Sequence, residues 1–201
     1  AGGDDSRARC SDTMVRMTTW VDDAPLADEL SRISIAVFAA VLGGVFLGDL
    51  SRELAYGSAT TYELLGEGGT LWVALPFAVG CIPRANSAAG AVASAGLGAF
   101  AVTLAVWVYY APLPSAVPPA AIRWTAIGLV VGWAMGLCAS LARHRHRSIR
   151  MLGALGPSAL VALDYIYLTR SWGRAPNTSV LAVMVVVALV PVFVAAVARS
   201  V

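Results

Sequence analysis

Residues 180–197 read VLAVMVVVALVPVFVAAV, a run with no charged side chain and no side-chain hydrogen-bonding group. Coiled as a helix it is about 27 Å long, close to the roughly 30 Å hydrocarbon core of a bilayer. Its bulky branched residues suit contact with lipid. Working outward, the segment extends from Ser179 to Ala198, and five more apolar segments precede it. They are Ile33 to Leu50, Thr70 to Ile82, Ser87 to Ala111, Thr125 to Ala142 and Leu152 to Thr169. A spanning helix needs about 20 residues, with a range of roughly 17–25. Five of the six segments meet that length. The second is short and interrupted by Pro76. It either starts near Leu64 and takes in Glu67, Gly68 and Gly69, or it is re-entrant. No segment alternates apolar and polar residues, as barrel strands must. The expected fold is all-α, a polytopic transmembrane bundle of six helices over residues 32–201.

Composition agrees. Of the 201 residues, 58% are hydrophobic and 13% charged, and the mean hydropathy is +0.73. A soluble domain carries about 25% charged residues, so lipid must cover much of this surface. All 14 basic residues are arginine, which with the heavy use of Ala, Val and Gly points to a GC-rich bacterial genome. A net charge of +2 with no basic stripe interleaved with aromatics gives no footprint for nucleic acid. The cysteines Cys10, Cys81 and Cys138 are odd in number and irregularly spaced, so they form no disulfide framework and no C-x-x-C metal pair.

Residues 1–31 carry Asp4, Asp5, Asp12, Asp22, Asp23, Asp28 and Glu29 against Arg7, Arg9 and Arg16. They lack the apolar region of a secretory signal and read as a disordered acidic tail. Met14 or Met17 is a candidate start, and Ala24 to Arg32 a short amphipathic lead-in helix. Orientation follows from arginine in short loops. The RHRHRSIR loop, with Arg143, Arg145, Arg147 and Arg150, is expected in the cytoplasm, where these residues would meet anionic headgroups. Arg32, Arg84 and Arg199 then lie inside too, seven in all, against Arg52, Arg123, Arg170 and Arg174 outside. The expected location is the bacterial inner membrane, with both termini cytoplasmic. Ten of the 12 Trp and Tyr residues fall at or beyond the expected outer ends: Tyr56, Tyr62, Trp72, Trp107, Tyr109, Tyr110, Trp124, Tyr165, Tyr167 and Trp172.

Small residues recur every four positions: Ala36, Ala40, Gly44 and Gly48 in the first helix; Gly90, Ser94 and Gly98 in the third; Gly128, Gly132, Gly136 and Ser140 in the fourth. That spacing lines one helix face and lets backbones approach closely in lipid. The first, third and fourth helices are therefore expected at the tight centre.

Asp164, in LVALDYIYL, is the one ionisable residue clearly inside a span. Such a carboxylate costs at least about 2.5–3.5 kcal/mol and must face the bundle. Three roles follow for it: an ion pair with Arg123, Arg170 or Arg174; a ligand contact; or a proton- or cation-coupling group. With Tyr167, Trp172, Glu63 and Glu67 it outlines a candidate outward-facing pocket. Asp49, Glu53, Glu63 and Glu67 match no known calcium-loop spacing. His144 and His146 lack nearby metal-ligating partners. No nucleotide loop, H-E-x-x-H, G-x-S-x-G or dinucleotide fingerprint occurs, so neither catalytic residues nor a cofactor or metal is expected.

The run from Leu47 to Leu168, with GDL closing the first helix, GGTLWVALPFAVGCIPR, VWVYYAP, GWAMGLCASLARHRHR and LDYIYL, resembles a family of small multi-pass membrane proteins of high-GC bacteria known only as a domain of unknown function. Gly68 and Gly69 stand where that family's pattern would have a polar Asn-Ser step. The resemblance implies the membrane bundle and no activity. The leading functional expectation is a non-enzymatic membrane module that binds a lipid or a partner subunit, which includes a second copy of itself. The alternative is a small transporter. The second and fifth helices are each the middle of three, are each interrupted (by Pro76 and by Gly156-Pro157), and each have an acid toward the outer end (Glu67 and Asp164). Broken helices at matching places point to inverted repeats.

Overall fold

The structure is a computed structural model. It describes residues 23–56, 68–83, 87–112, 117–171, 173 and 176–197. The chain divides into residues 1–31 and a compact unit of residues 32–201. The described residues form six helices and no strand: α1 (Asp23–Tyr56), α2 (Thr70–Gly80), α3 (Ala88–Tyr110), α4 (Val117–Leu141), α5 (Arg147–Ser171) and α6 (Thr178–Val197). Five are long and apolar enough to cross a membrane, and α2, with 11 residues, is not. The protein is a multi-pass membrane protein built as an all-α bundle.

Three helices outrun their apolar cores. α1 starts before Ile33, α4 before Thr125 and α5 before Leu152. Backbone hydrogen bonding does not stop where the apolar side chains stop, so Arg123, Arg147 and Arg150 are helical. Long arginine stems allow this by carrying the charge toward the headgroups. At the other ends, caps set the start. Ser87 Oγ accepts from the Gly90 N–H at 2.9 Å to begin α3, and Asn177 Oδ1 accepts from the Val180 N–H at 2.9 Å to begin α6.

α2 does not extend back to Leu64, since Gly68 and Gly69 form a bend. Nor is it re-entrant. α1 finishes at the end of the bundle where Tyr56 packs, tilted, against Tyr109. α3 starts at the opposite end, beside Pro83, whose carbonyl is held by Arg143. The chain must travel between those ends, and α2 carries it. Its Val73 and Phe77 enter a core with Met135, Ala139, Val161, Leu168 and Met184. Its other side meets α1 and α3 through Val79, Ala40 and Ala101. The short helix thus stands between two clusters of the bundle. It shares the interior with α1, α3 and α4.

The seams around it are backbone seams. A Cβ on Gly132 would lie 2.6 Å from the Gly98 carbonyl oxygen and 2.8 Å from Ala99 Cα. One on Gly136 would strike the Ser94 carbonyl, and one on Gly80 would come within 2.9 Å of Gly136 Cα. Gly44 and Gly48 of α1 lie against the Ala101 and Ala105 carbonyls, and Gly128 lies against Val102. Gly90 is buried at the start of α3. Between α5 and α6, Ser158 Oγ donates to the Ala188 carbonyl at 2.7 Å, in the turn before the helix-interrupting Pro191.

Gly132→Val should therefore destabilise the detergent-solubilised protein by about 1–3 kcal/mol through overpacking. Gly96→Ala, whose added methyl meets nothing within 4 Å, should leave stability equal or up to about 1 kcal/mol higher. Thermal unfolding followed by circular dichroism measures both.

Candidate functional site

A helix that begins within a bundle brings its unpaired N–H groups with it. Helix α2 begins in this way. Asp164, to which its first residues bond, sits about 10 Å short of the end of α5 at roughly 1.5 Å per residue. The N-cap position is Gly69, which has no side chain to offer, and no side-chain cap bond arises from it. The acceptor comes from α5. Asp164 Oδ1 accepts the Gly69 N–H at 2.8 Å. Its Oδ2 accepts the Thr70 N–H at 2.9 Å and the Thr70 hydroxyl at 2.7 Å. Thr70 is 1% exposed, so water cannot replace these bonds. The negative carboxylate also faces the positive end of the α2 dipole.

Asp164 is thus a cap delivered from another helix. Of the roles open to it, an ion pair with Arg123 or Arg170 does not occur, since no arginine among the described residues pairs with it. A carboxylate has about four lone-pair sites, and three here are committed to the fold. Tyr167 points away and is 58% exposed. Glu63, Glu67 and Trp172, along with Tyr62, Arg84, Arg174 and Arg199, lie outside the described residues. Sequence reading missed Gly69 and Thr70. The available signal was a glycine at the start of an apolar helix, with no local acceptor to cap it.

Aromatic rings gather at the same end. Tyr109 is 4.9 Å from Tyr110, 6.0 Å from Tyr56 and 6.3 Å from Trp72 between centroids, joining the ends of α1 and α3 to the start of α2. Asp49 and Glu53 both pair with Arg52, the latter at 3.4 Å. That pairing neutralises part of the acidic set Asp49, Glu53, Glu63 and Glu67. No group of three or more metal-ligating side chains occurs among the described residues.

The opposite end is basic. Arg143 donates to the Pro83 carbonyl, tying the α4–α5 turn to the α2–α3 turn. Burial pulls its guanidinium below the usual arginine value; the nearby Cys81 thiol opposes this and Arg32 adds to it. Burial likewise pushes the Cys81 thiol up, with Arg143 opposing. This thiol is a poor nucleophile at neutral pH, since the thiolate is the reactive form. His144 and His146 stack with centroids 5.4 Å apart, and the His146 N–H donates to His144 Nδ1 at 3.2 Å. Arg32, Arg143, Arg145, Arg147 and Arg150 share this end. The described carboxylates of residues 32–201, which are Asp49, Glu53 and Asp164, all lie toward the other.

Comparison with protein-family models, with curated proteins and with solved structures finds no match to the chain.

Asp164→Ala should cost about 2–3 kcal/mol by stranding two N–H donors and a hydroxyl. Asp164→Asn, which keeps one acceptor oxygen, should cost about 1 kcal/mol. Thr70→Val, which removes one of the three bonds, should fall near Asp164→Asn. Thermal unfolding in one detergent ranks the three.

Proposed function

We propose that the protein is a non-enzymatic membrane module whose arginine end binds anionic lipid, with that end facing the cytoplasm of a bacterial inner membrane. One observation carries this reading: Arg143, Arg145, Arg147 and Arg150 fall within the turn that joins α4 to α5 and the first turn of α5. Juxtamembrane arginine gains about 1 kcal/mol each from an anionic leaflet.

A second reading, a small transporter, has one observation in its favour. Helix α2 is a half-length helix starting at depth, the kind of segment that holds substrate in secondary transporters. Here, however, its N-terminus is filled by Asp164, which leaves that terminus closed to an anionic substrate.

Protein extracted with mixed phosphatidylglycerol and phosphatidylcholine should retain phosphatidylglycerol about tenfold in excess, and the excess should shrink as salt screens the arginines. Lipid counting by native mass spectrometry reads the ratio. Equal retention of the two lipids contradicts the reading.

A further inference from the structure

The first turn of α5 and the last turns of α6 enclose a cleft of about 280 Å³ lined by Arg147, Arg150, Met151, Ala195 and Ala196. Its lining mixes two chemistries: Arg147, Arg150 and Met151 come from α5, and Ala195 and Ala196 from α6. Arg150 Nε is shut off from solvent and has no hydrogen-bond partner. Neither Arg147 nor Arg150 makes an ion pair among the described residues. The first N–H groups of α5 add to the positive potential here. Toward the middle of each helix, Leu152 and Leu155 of α5 are 67% and 50% exposed and Phe193 and Leu189 of α6 are 69% and 59% exposed, so apolar surface continues from the cleft along both helices.

We propose that this cleft is a specific site for one anionic phospholipid. Arg147 and Arg150 take its phosphate. Met151, Ala195 and Ala196 pack against the glycerol and upper acyl chain, and the exposed apolar faces of α5 and α6 carry the chain onward. Arginine suits the role because its planar fork gives paired N–H bonds to phosphate oxygens. The apolar half of the lining favours a lipid over free phosphate, which would leave Met151 and the alanines facing an ion. The proposal rests on the lipid-binding reading above and goes further by naming one site instead of a diffuse charged face.

The test uses the full chain in detergent, titrated with dioleoylphosphatidylglycerol and, separately, dioleoylphosphatidylcholine, with binding read by native mass spectrometry. Arg147→Gln/Arg150→Gln should weaken phosphatidylglycerol binding about thirtyfold, from roughly fivefold for each arginine lost. Arg145→Gln removes a charge from the same loop outside the cleft and should change binding less than threefold. Ala196→Phe keeps every arginine but fills the apolar wall, and should also abolish the preference. Circular dichroism melts confirm that each variant is folded, and an unfolded double variant leaves the decision to Ala196→Phe. Inorganic phosphate in excess should fail to displace the lipid.

A wild-type protein with no phosphatidylglycerol preference sinks the lipid-binding reading itself. A preference that survives both the double variant and Ala196→Phe, or that falls equally with Arg145→Gln, overturns the site and leaves the broader reading standing. Full displacement by inorganic phosphate overturns the lipid as occupant.

Discussion

The bundle depends on finding an acceptor for the N–H groups of a helix that starts inside it. In lipid or in a dry protein interior, an unpaired backbone donor costs several kcal/mol. Other helices here solve the problem locally, α3 with Ser87 and α6 with Asn177. Helix α2 cannot, because Gly69 precedes it. Asp164 solves it from α5, and it is the only acidic residue in the chain after Glu67. The three bonds it accepts fix the depth of α2 relative to α5. The rest of α2 then has a set place between the α1–α3 side and the α4–α5–α6 side of the bundle.

Around that short helix the other contacts follow from the absence of side chains. Where Gly98 meets Gly132 and Ser94 meets Gly136, the helices approach to backbone distance. Dispersion and weak polar contacts replace the hydrophobic drive that lipid does not supply. Bulk is sent outward instead: Phe38, Phe46, Val130 and Phe193 are each more than half exposed, as lipid-facing side chains should be. The two ends of the bundle differ chemically. One holds the Asp164 cap and a chain of aromatic rings. The other holds arginines with a buried tie from Arg143 to Pro83 and a cleft at Arg147 and Arg150.

Much of the architecture was legible in the sequence because hydropathy acts over whole segments. Six apolar runs became six helices, and the short second run stayed short. Helix ends were less legible, since the helical ladder continues through Arg123, Arg147 and Arg150 beyond the apolar stretch. Asp164 stood out by its rarity within a span, but its partner did not. The partner is backbone, 94 and 95 residues away, and N–H groups carry no sequence signature. An arginine was the natural expectation for a buried acid, and a helix N-terminus serves the same charge without one. Tyr167 illustrates the other gap. It lies one turn from Asp164 along the chain yet faces outward, because the bundle buries only one side of α5.

Backbone amide exchange resolved by residue tests the cap most directly. In bilayers, the Gly69 and Thr70 amides should exchange as slowly as amides in the middle of α3, and the Asp164→Ala substitution should release these two while α3 stays protected. Rapid exchange of Gly69 and Thr70 in the wild-type protein, or protection unchanged by removing the carboxylate, would contradict the role assigned to Asp164.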